Sequence, residues 1–195
     1  YWFTSDIRKN RPTPNEEAKW GYDVIENSLW DAVPAYIREL NEQTNATIGY
    51  RIPVDGRPIH FSSWMGGDRD GNPNVTATVT RDVLIQARRR AAILFLRDIE
   101  VLVKELSMFA CTPRFRSYLG DNEAHEPYRE LMKRLRTKLK KTVNYYEEIK
   151  LGQRPVFNED IIYHNEPQSL YRAGQIFFQR CNPRLYCLGE DILLL

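Results

Sequence analysis

The chain has 195 residues, with 28 Lys and Arg against 26 Asp and Glu, giving a formal charge of +2. That near balance argues against a general polyanion binder, whose positive excess is larger. Apolar residues at 42% and charged residues at 28% are globular proportions, which exclude a disordered chain or a fibre, and no apolar run approaches the ~18 to 20 residues of a spanning helix.

One or two compact domains fit this length. Cys111, Cys181 and Cys187 are an odd number without a CxxC pair or a nearby His at zinc spacing, so neither a disulfide framework nor a structural metal site is expected, and a reducing cytoplasm is the natural setting. The chain opens Tyr1-Trp2-Phe3 with no initiator Met, basic leader or cleavage pattern, and the expectation is a piece of something longer.

In chain order, Thr13-Pro14-Asn15-Glu16 is a helix start: Thr13 caps, Pro14 suits the first helical position and Glu16 completes a capping box. Trp20, Val24, Leu29, Val33, Tyr36, Ile37 and Leu40 then line one apolar face to about residue 42, with Pro34 expected to kink or restart the helix. Residues 43 to 57, with Asn45, Gly49, Pro53, Asp55 and Gly56, suit a connection. Ile59 to Trp64 alternates and is β-compatible, which predicts the clearest strand of the chain.

A long helix is predicted from about Thr78 to Phe109 on Leu84, Ala87, Ala91, Leu94, Phe95, Leu102, Val103 and Leu106, with Pro113 closing the region. A second runs from Pro127 to about Lys150 on Leu131, Leu135, Leu139, Val143 and Tyr146. Its other side is basic, with Lys133, Arg134, Arg136, Lys138, Lys140 and Lys141. The three consecutive residues Arg88, Arg89 and Arg90 fan around the helix instead of forming one patch. There is no internal repeat or low-complexity tract.

Chemistry concentrates in Phe61-Ser62-Ser63-Trp64-Met65-Gly66-Gly67-Asp68-Arg69-Asp70-Gly71-Asn72-Pro73. Glycines let a backbone approach a ligand, and Arg69 offers a planar fork for phosphate or carboxylate. Asp68, Asp70 and Asn72 resemble a calcium loop, but Gly71 stands fourth instead of sixth and the twelfth place is Val79 instead of Glu. The spacing is neither a dinucleotide fingerprint nor a Walker loop. On residues alone, a salt-bridged Asp-Arg-Asp turn stays open beside an anion-binding loop.

The string FSSWMGGDRDGNPNVT resembles a signature of the phosphoenolpyruvate carboxylases. IRKNRPTPNEEAKWG and VIENSLWDAVPAYIRELNEQ before it, and VTRDVLIQARRRAA, VLVKELSM and EPYRELMKRLR after it, resemble bacterial members in the same order, over about residues 4 to 165. The resemblance implies a mainly α chain with a short strand, a fragment of a helix-rich TIM (β/α)8-barrel enzyme that is a cytoplasmic homotetramer when full length. Residues 1–166 are then a partial carboxylase domain and residues 167–195 a divergent or irregular tail. The implied activity, on the route that replenishes the tricarboxylic acid cycle, adds bicarbonate to phosphoenolpyruvate with Mg2+ or Mn2+ and gives oxaloacetate and phosphate.

The resemblance also assigns residues. Gly66, Gly67 and Gly71 match the substrate loop, Trp64 matches a tryptophan lining an apolar carbon dioxide pocket, Arg69 would position phosphate or carboxylate oxygens, and Asp68 and Asp70 would orient Arg69 and the loop. Arg8 and Arg129 match arginines that help bind an activating sugar phosphate in plant members. The family's histidine motif, metal carboxylates and mobile glycine-rich loop have no match here, and His60, His125 and His164 fill none of those places. The isolated chain is therefore expected to be inactive, with its metal ligands elsewhere. The rival readings are a helical nucleic-acid-binding module, for which the basic helix lacks Asn or Gln readers, and a structural or interaction segment.

Overall fold

In the computed structural model, which describes residues 12–53, 58–59, 61–120, 124–158 and 161, five α-helices carry the described chain. They are α1 (Pro14–Val24), α2 (Trp30–Ile48), α3 (Ala77–Glu105), α4 (Pro113–Leu119) and α5 (Pro127–Lys150), with one π-helical turn over Ile25–Leu29 between the first two. α3 packs along α5, α1 lies on α3, and the short α4 lies against α5. Arg8, Asp55, Gly56, His60, His164, Cys181, Cys187 and the expected tail from residue 167 fall outside the described residues.

The start of α1 follows its sequence. Thr13 Oγ1 accepts from the Glu16 N–H at 3.3 Å while Glu16 Oε2 accepts from the Thr13 N–H at 2.8 Å, so two otherwise orphaned donors are satisfied. The break expected at Pro34 lies earlier. Pro34 sits inside α2, and the disturbance is the π turn, where the Trp30 N–H reaches back five residues to the Ile25 oxygen. Proline has no N–H to give the preceding turn, and a π turn absorbs one extra residue at such a place.

That extra residue rotates everything after it and explains why the expected apolar face is wrong. Ala18, Tyr22, Trp30 and Val33 are buried, whereas Trp20, Val24 and Tyr36 are exposed. α2 also continues to Ile48, through Asn45, and stops where Gly49 takes the left-handed conformation at φ 69°. The expected connection therefore begins six residues later than residue 43, at Gly49.

α3 ends at Glu105 instead of Phe109 because Leu106 turns to extended backbone, and its side chain drops into the core. Pro113 does not simply close that region: Thr112 caps α4, accepting from the Phe115 N–H at 3.2 Å, and Pro113 occupies its first turn. The strand predicted over 59–64 does not form in the described part of that stretch, Ile59 and residues 61–64. A strand exists through its ladder of hydrogen bonds to a neighbour, and no strand occurs among the described residues to supply one.

The main core gathers Trp30 of α2, Leu94, Phe95 and Ile99 of α3, Phe115 of α4, and Met132, Leu135 and Leu139 of α5. Each large apolar side chain so buried contributes about 1.5 to 3 kcal/mol. Trp30 is held at both ends: its ring stands edge-on to Phe95 at 5.1 Å and its Nε1 donates to Asp98 Oδ2 at 2.8 Å. On α3, Leu84 from the expected core is exposed, while Val83, Ala92 and Ile99 are buried. No helix among the described residues is long and apolar enough to cross a membrane.

A second, smaller cluster of Ala18, Tyr22, Val83 and Ala87 joins α1 to α3. The Tyr22 hydroxyl donates to the Val83 carbonyl at 2.9 Å, and Arg90 lies over its ring while bonding Asp23 and Glu26 at 2.9 and 2.7 Å. Burial pushes the Tyr22 hydroxyl up to about 12, against the opposing pull of Arg90. A raised folded value stabilises below the unfolded value near 10, and the stabilisation is lost as pH climbs through 12. Urea unfolding should thus show Tyr22 losing roughly 2 kcal/mol relative to Tyr22→Phe between pH 10 and 12; parallel curves would contradict the buried neutral phenol.

Candidate functional site

The loop from Phe61 to Thr76 is fastened at one end and free at the other. Met65 packs with the second cluster, and α1 admits it because Gly21 has no side chain: a Cβ there would overlap the Met65 methyl and sulfur. Gly66 is buried at φ 72°, a left-handed conformation that favours glycine. A Cβ on Gly66 would lie 2.6 Å from Val83 Cγ2, so this glycine also lets the loop lie flat on α3. Thr80 Oγ1 then donates to the Gly66 carbonyl at 2.6 Å.

Beyond that anchor, local bonds shape the turns. The Trp64 carbonyl accepts from the Gly67 and Asp68 N–H groups, both at 2.9 Å. Asp68 Oδ1 accepts from the Asp70 N–H at 3.1 Å, and Asn72 Oδ1 accepts from the Asn74 N–H at 3.0 Å. These side-chain bonds to backbone two residues on are why Asp and Asn suit such turns. Val75 is buried, and Thr76 caps α3 by accepting from the Val79 N–H at 3.3 Å.

The sequence-predicted residues thus separate by position. Trp64 is 78% exposed although its neighbours Met65 and Gly66 are packed. Gly67, Asp68, Arg69, Asp70 and Gly71 are exposed as well. Gly66, expected at the substrate, faces Val83 and serves the packing of the loop. Asp68 braces the loop backbone, and Arg69 makes no ion pair with Asp68 or Asp70. The loop therefore presents an indole and a guanidinium on a backbone pinned from beneath.

Arg129 is engaged elsewhere. It pairs with Glu126 and its Nη2 donates to the Lys104 carbonyl at 3.3 Å, which ties the start of α5 to the last turn of α3. Arg8, its expected companion for a sugar phosphate, lies outside the described residues. His125 stacks on Phe109, with ring centres 4.5 Å apart. Several cations of the basic side of α5 are also held: Lys133 and Arg134 pair with Glu130 at 3.9 and 3.5 Å, and Lys140 pairs with Glu100 at 3.4 Å.

The described residues do not fit a divalent cation. No three His, Cys, Asp or Glu residues come together among them, and one Asp68 oxygen is already taken by backbone. Sequence reasoning missed Gly21, Met65, Thr80 and Val83, whose part depends on contact between α1, the loop and α3. The only advance signal was the glycine at position 21, in mid-helix where glycine is costly and a packing reason is to be sought.

Comparison with known proteins bears on what this loop serves. A family model described as phosphoenolpyruvate carboxylase matches residues 1–177. The chain is similar to the phosphoenolpyruvate carboxylase of Pectobacterium carotovorum, 56% identical over 165 residues, covering 85% of the chain and 19% of that protein. It is also similar to those of Photorhabdus laumondii, 54% identical over 196 residues with 98% and 22% covered, and of Yersinia pseudotuberculosis, 55% identical over 191 residues with 97% and 22% covered. The chain spans about a fifth of the length of the curated relatives it matches.

Proposed function

The chain belongs to the phosphoenolpyruvate carboxylase family, and from that premise we propose that its Trp64-to-Pro73 loop forms one wall of a carboxylation site. The observation that carries this reading is the contrast along three residues, an exposed Trp64 beside a packed Met65 and a buried Gly66. Holding a large apolar ring in water costs stability unless something is to cover it. The anchor beneath fixes where the ring stands.

The whole enzyme would act on phosphoenolpyruvate and bicarbonate. A bicarbonate oxygen attacks phosphorus, the bond from phosphorus to the enol oxygen breaks, and carboxyphosphate and the pyruvate enolate result. Carboxyphosphate then gives carbon dioxide and phosphate, and the enolate carbon attacks carbon dioxide to give oxaloacetate. Trp64 would wall the second half: carbon dioxide is apolar and must be kept near the enolate while water, which would protonate it, is kept away. Arg69 would act where negative charge gathers on phosphate or carboxylate oxygens, because a guanidinium donates two parallel hydrogen bonds and stays charged.

A divalent cation, Mg2+ or Mn2+, supplies charge neutralisation in such a reaction, and its ligands lie outside the described residues. The barrel fold, a homotetrameric full-length form and a cytoplasmic location belong to the same proposal. The described helices would form part of the helical exterior of that barrel, and the chain alone would lack turnover.

The test replaces the matching fifth of the full-length Photorhabdus laumondii protein with this chain. Oxaloacetate formation that requires both phosphoenolpyruvate and bicarbonate is the expected result. A purified chimera with normal helical circular dichroism and no oxaloacetate would count against the reading.

A further inference from the structure

A cavity of about 430 Å³ lies between α3, the C-terminal part of α5 and the loop. Three guanidinium groups, those of Arg69, Arg81 and Arg88, line it, with Leu84, Ile85 and Tyr145 also in its wall. No carboxylate is among the described residues that line it. The size is that of small-molecule sites, which run from about 300 to 1,000 Å³.

The charge is concentrated by how neighbouring groups are used. Of the three consecutive arginines on α3, Arg89 turns to Glu147 and Arg90 to Asp23 and Glu26, so Arg88 is the one that faces the cavity. Glu147, next to Tyr146 of the wall, is held by Arg89 and by Lys150 at 4.0 Å. Asp82, next to Arg81, is not among the lining residues, nor are Asp68 and Asp70 on either side of Arg69. Arg81 and Arg88 are two helical turns apart on one face, about 10 Å along the axis, with Leu84 and Ile85 between them.

We propose that this cavity binds a small metabolite bearing two oxyanion groups, phosphate or carboxylate, one toward Arg81 and the other toward Arg88. The guanidinium fork takes either anion in two parallel hydrogen bonds, and Leu84 and Ile85 suit a short apolar body between the two ends. Arg69 reaches the same space from the loop. The proposal goes beyond carboxylation and needs no turnover.

The test is isothermal calorimetry on the 195-residue chain at physiological salt, with its helical circular dichroism recorded first. Pyrophosphate probes the phosphate source and glutarate the carboxylate source; the tighter of the two identifies the anion. Saturable one-site binding of at least one is expected, weakened about tenfold or more by Arg81→Gln and by Arg88→Gln. Arg81→Lys, which keeps charge and loses the fork, should weaken it by less. Arg136→Gln, half a turn around α5 from Tyr145, should leave it unchanged. Absence of saturable binding to both probes by the helical chain would overturn the site, as would an equal loss from Arg136→Gln, which marks diffuse charge.

Discussion

Arg69→Lys, made in the full-length chimera, is expected to lower kcat by about 10²- to 10³-fold, the usual cost of losing one preorganised donor to developing charge. KM for phosphoenolpyruvate should move less, since an interaction that strengthens in the transition state shows mainly in kcat. The structure separates this from a folding defect. Arg69 is exposed and makes no ion pair with the aspartates beside it, so the thermal midpoint should hold. A lower midpoint with normal kcat in the folded fraction would make Arg69 part of the scaffold.

Gly66→Ala should cost about 2 to 5 kcal/mol. A left-handed conformation costs an L-residue about 1 to 2 kcal/mol, and forcing a Cβ to within 2.6 Å of Val83 Cγ2 adds an overpacking cost of about 1 to 3 kcal/mol. Gly71→Ala separates the two contributions, because Gly71 has φ 66° but nothing within 4 Å of a Cβ. It should lose only the conformational part, about 1 to 2 kcal/mol. Urea unfolding of the two variants checks this, and equal losses would mean that the loop is not seated on Val83.

The long helices were legible because burial imposes a period. Leu131, Leu135, Leu139 and Tyr146 recur on one side of α5 and all are buried. The capping box at Thr13 was legible because its donors and acceptors are three residues apart and need nothing distant. The π turn was not, since no residue type announces an extra residue in a turn. Reading 3.6 residues per turn through Ile25–Leu29 put Trp20 and Val24 on the buried side.

The strand at 59–64 failed for the complementary reason: alternation marks what could pair, and pairing needs a partner. At the site, Trp64 and Arg69 could be chosen from chemical type, but the roles of Gly21 and Met65 could not. Those two are 44 positions apart in the numbering, and only the packing of α1 against the loop joins them. The dispersal of Arg88, Arg89 and Arg90 into three directions, by contrast, follows from 100° per residue and was readable in advance.

The most direct test of the central claim is the ratio of pyruvate to oxaloacetate formed by the chimera carrying Trp64→Ala, measured with bicarbonate present and compared with the unsubstituted chimera. An indole that walls the carbon dioxide site predicts that phosphoenolpyruvate is still consumed while pyruvate rises at the expense of oxaloacetate, because carbon dioxide escapes and the enolate is protonated instead. Trp64 is largely exposed in this chain, so its loss should leave folding nearly untouched. An unchanged product ratio in a folded, active Trp64→Ala chimera would contradict the account, leaving the loop as scaffold.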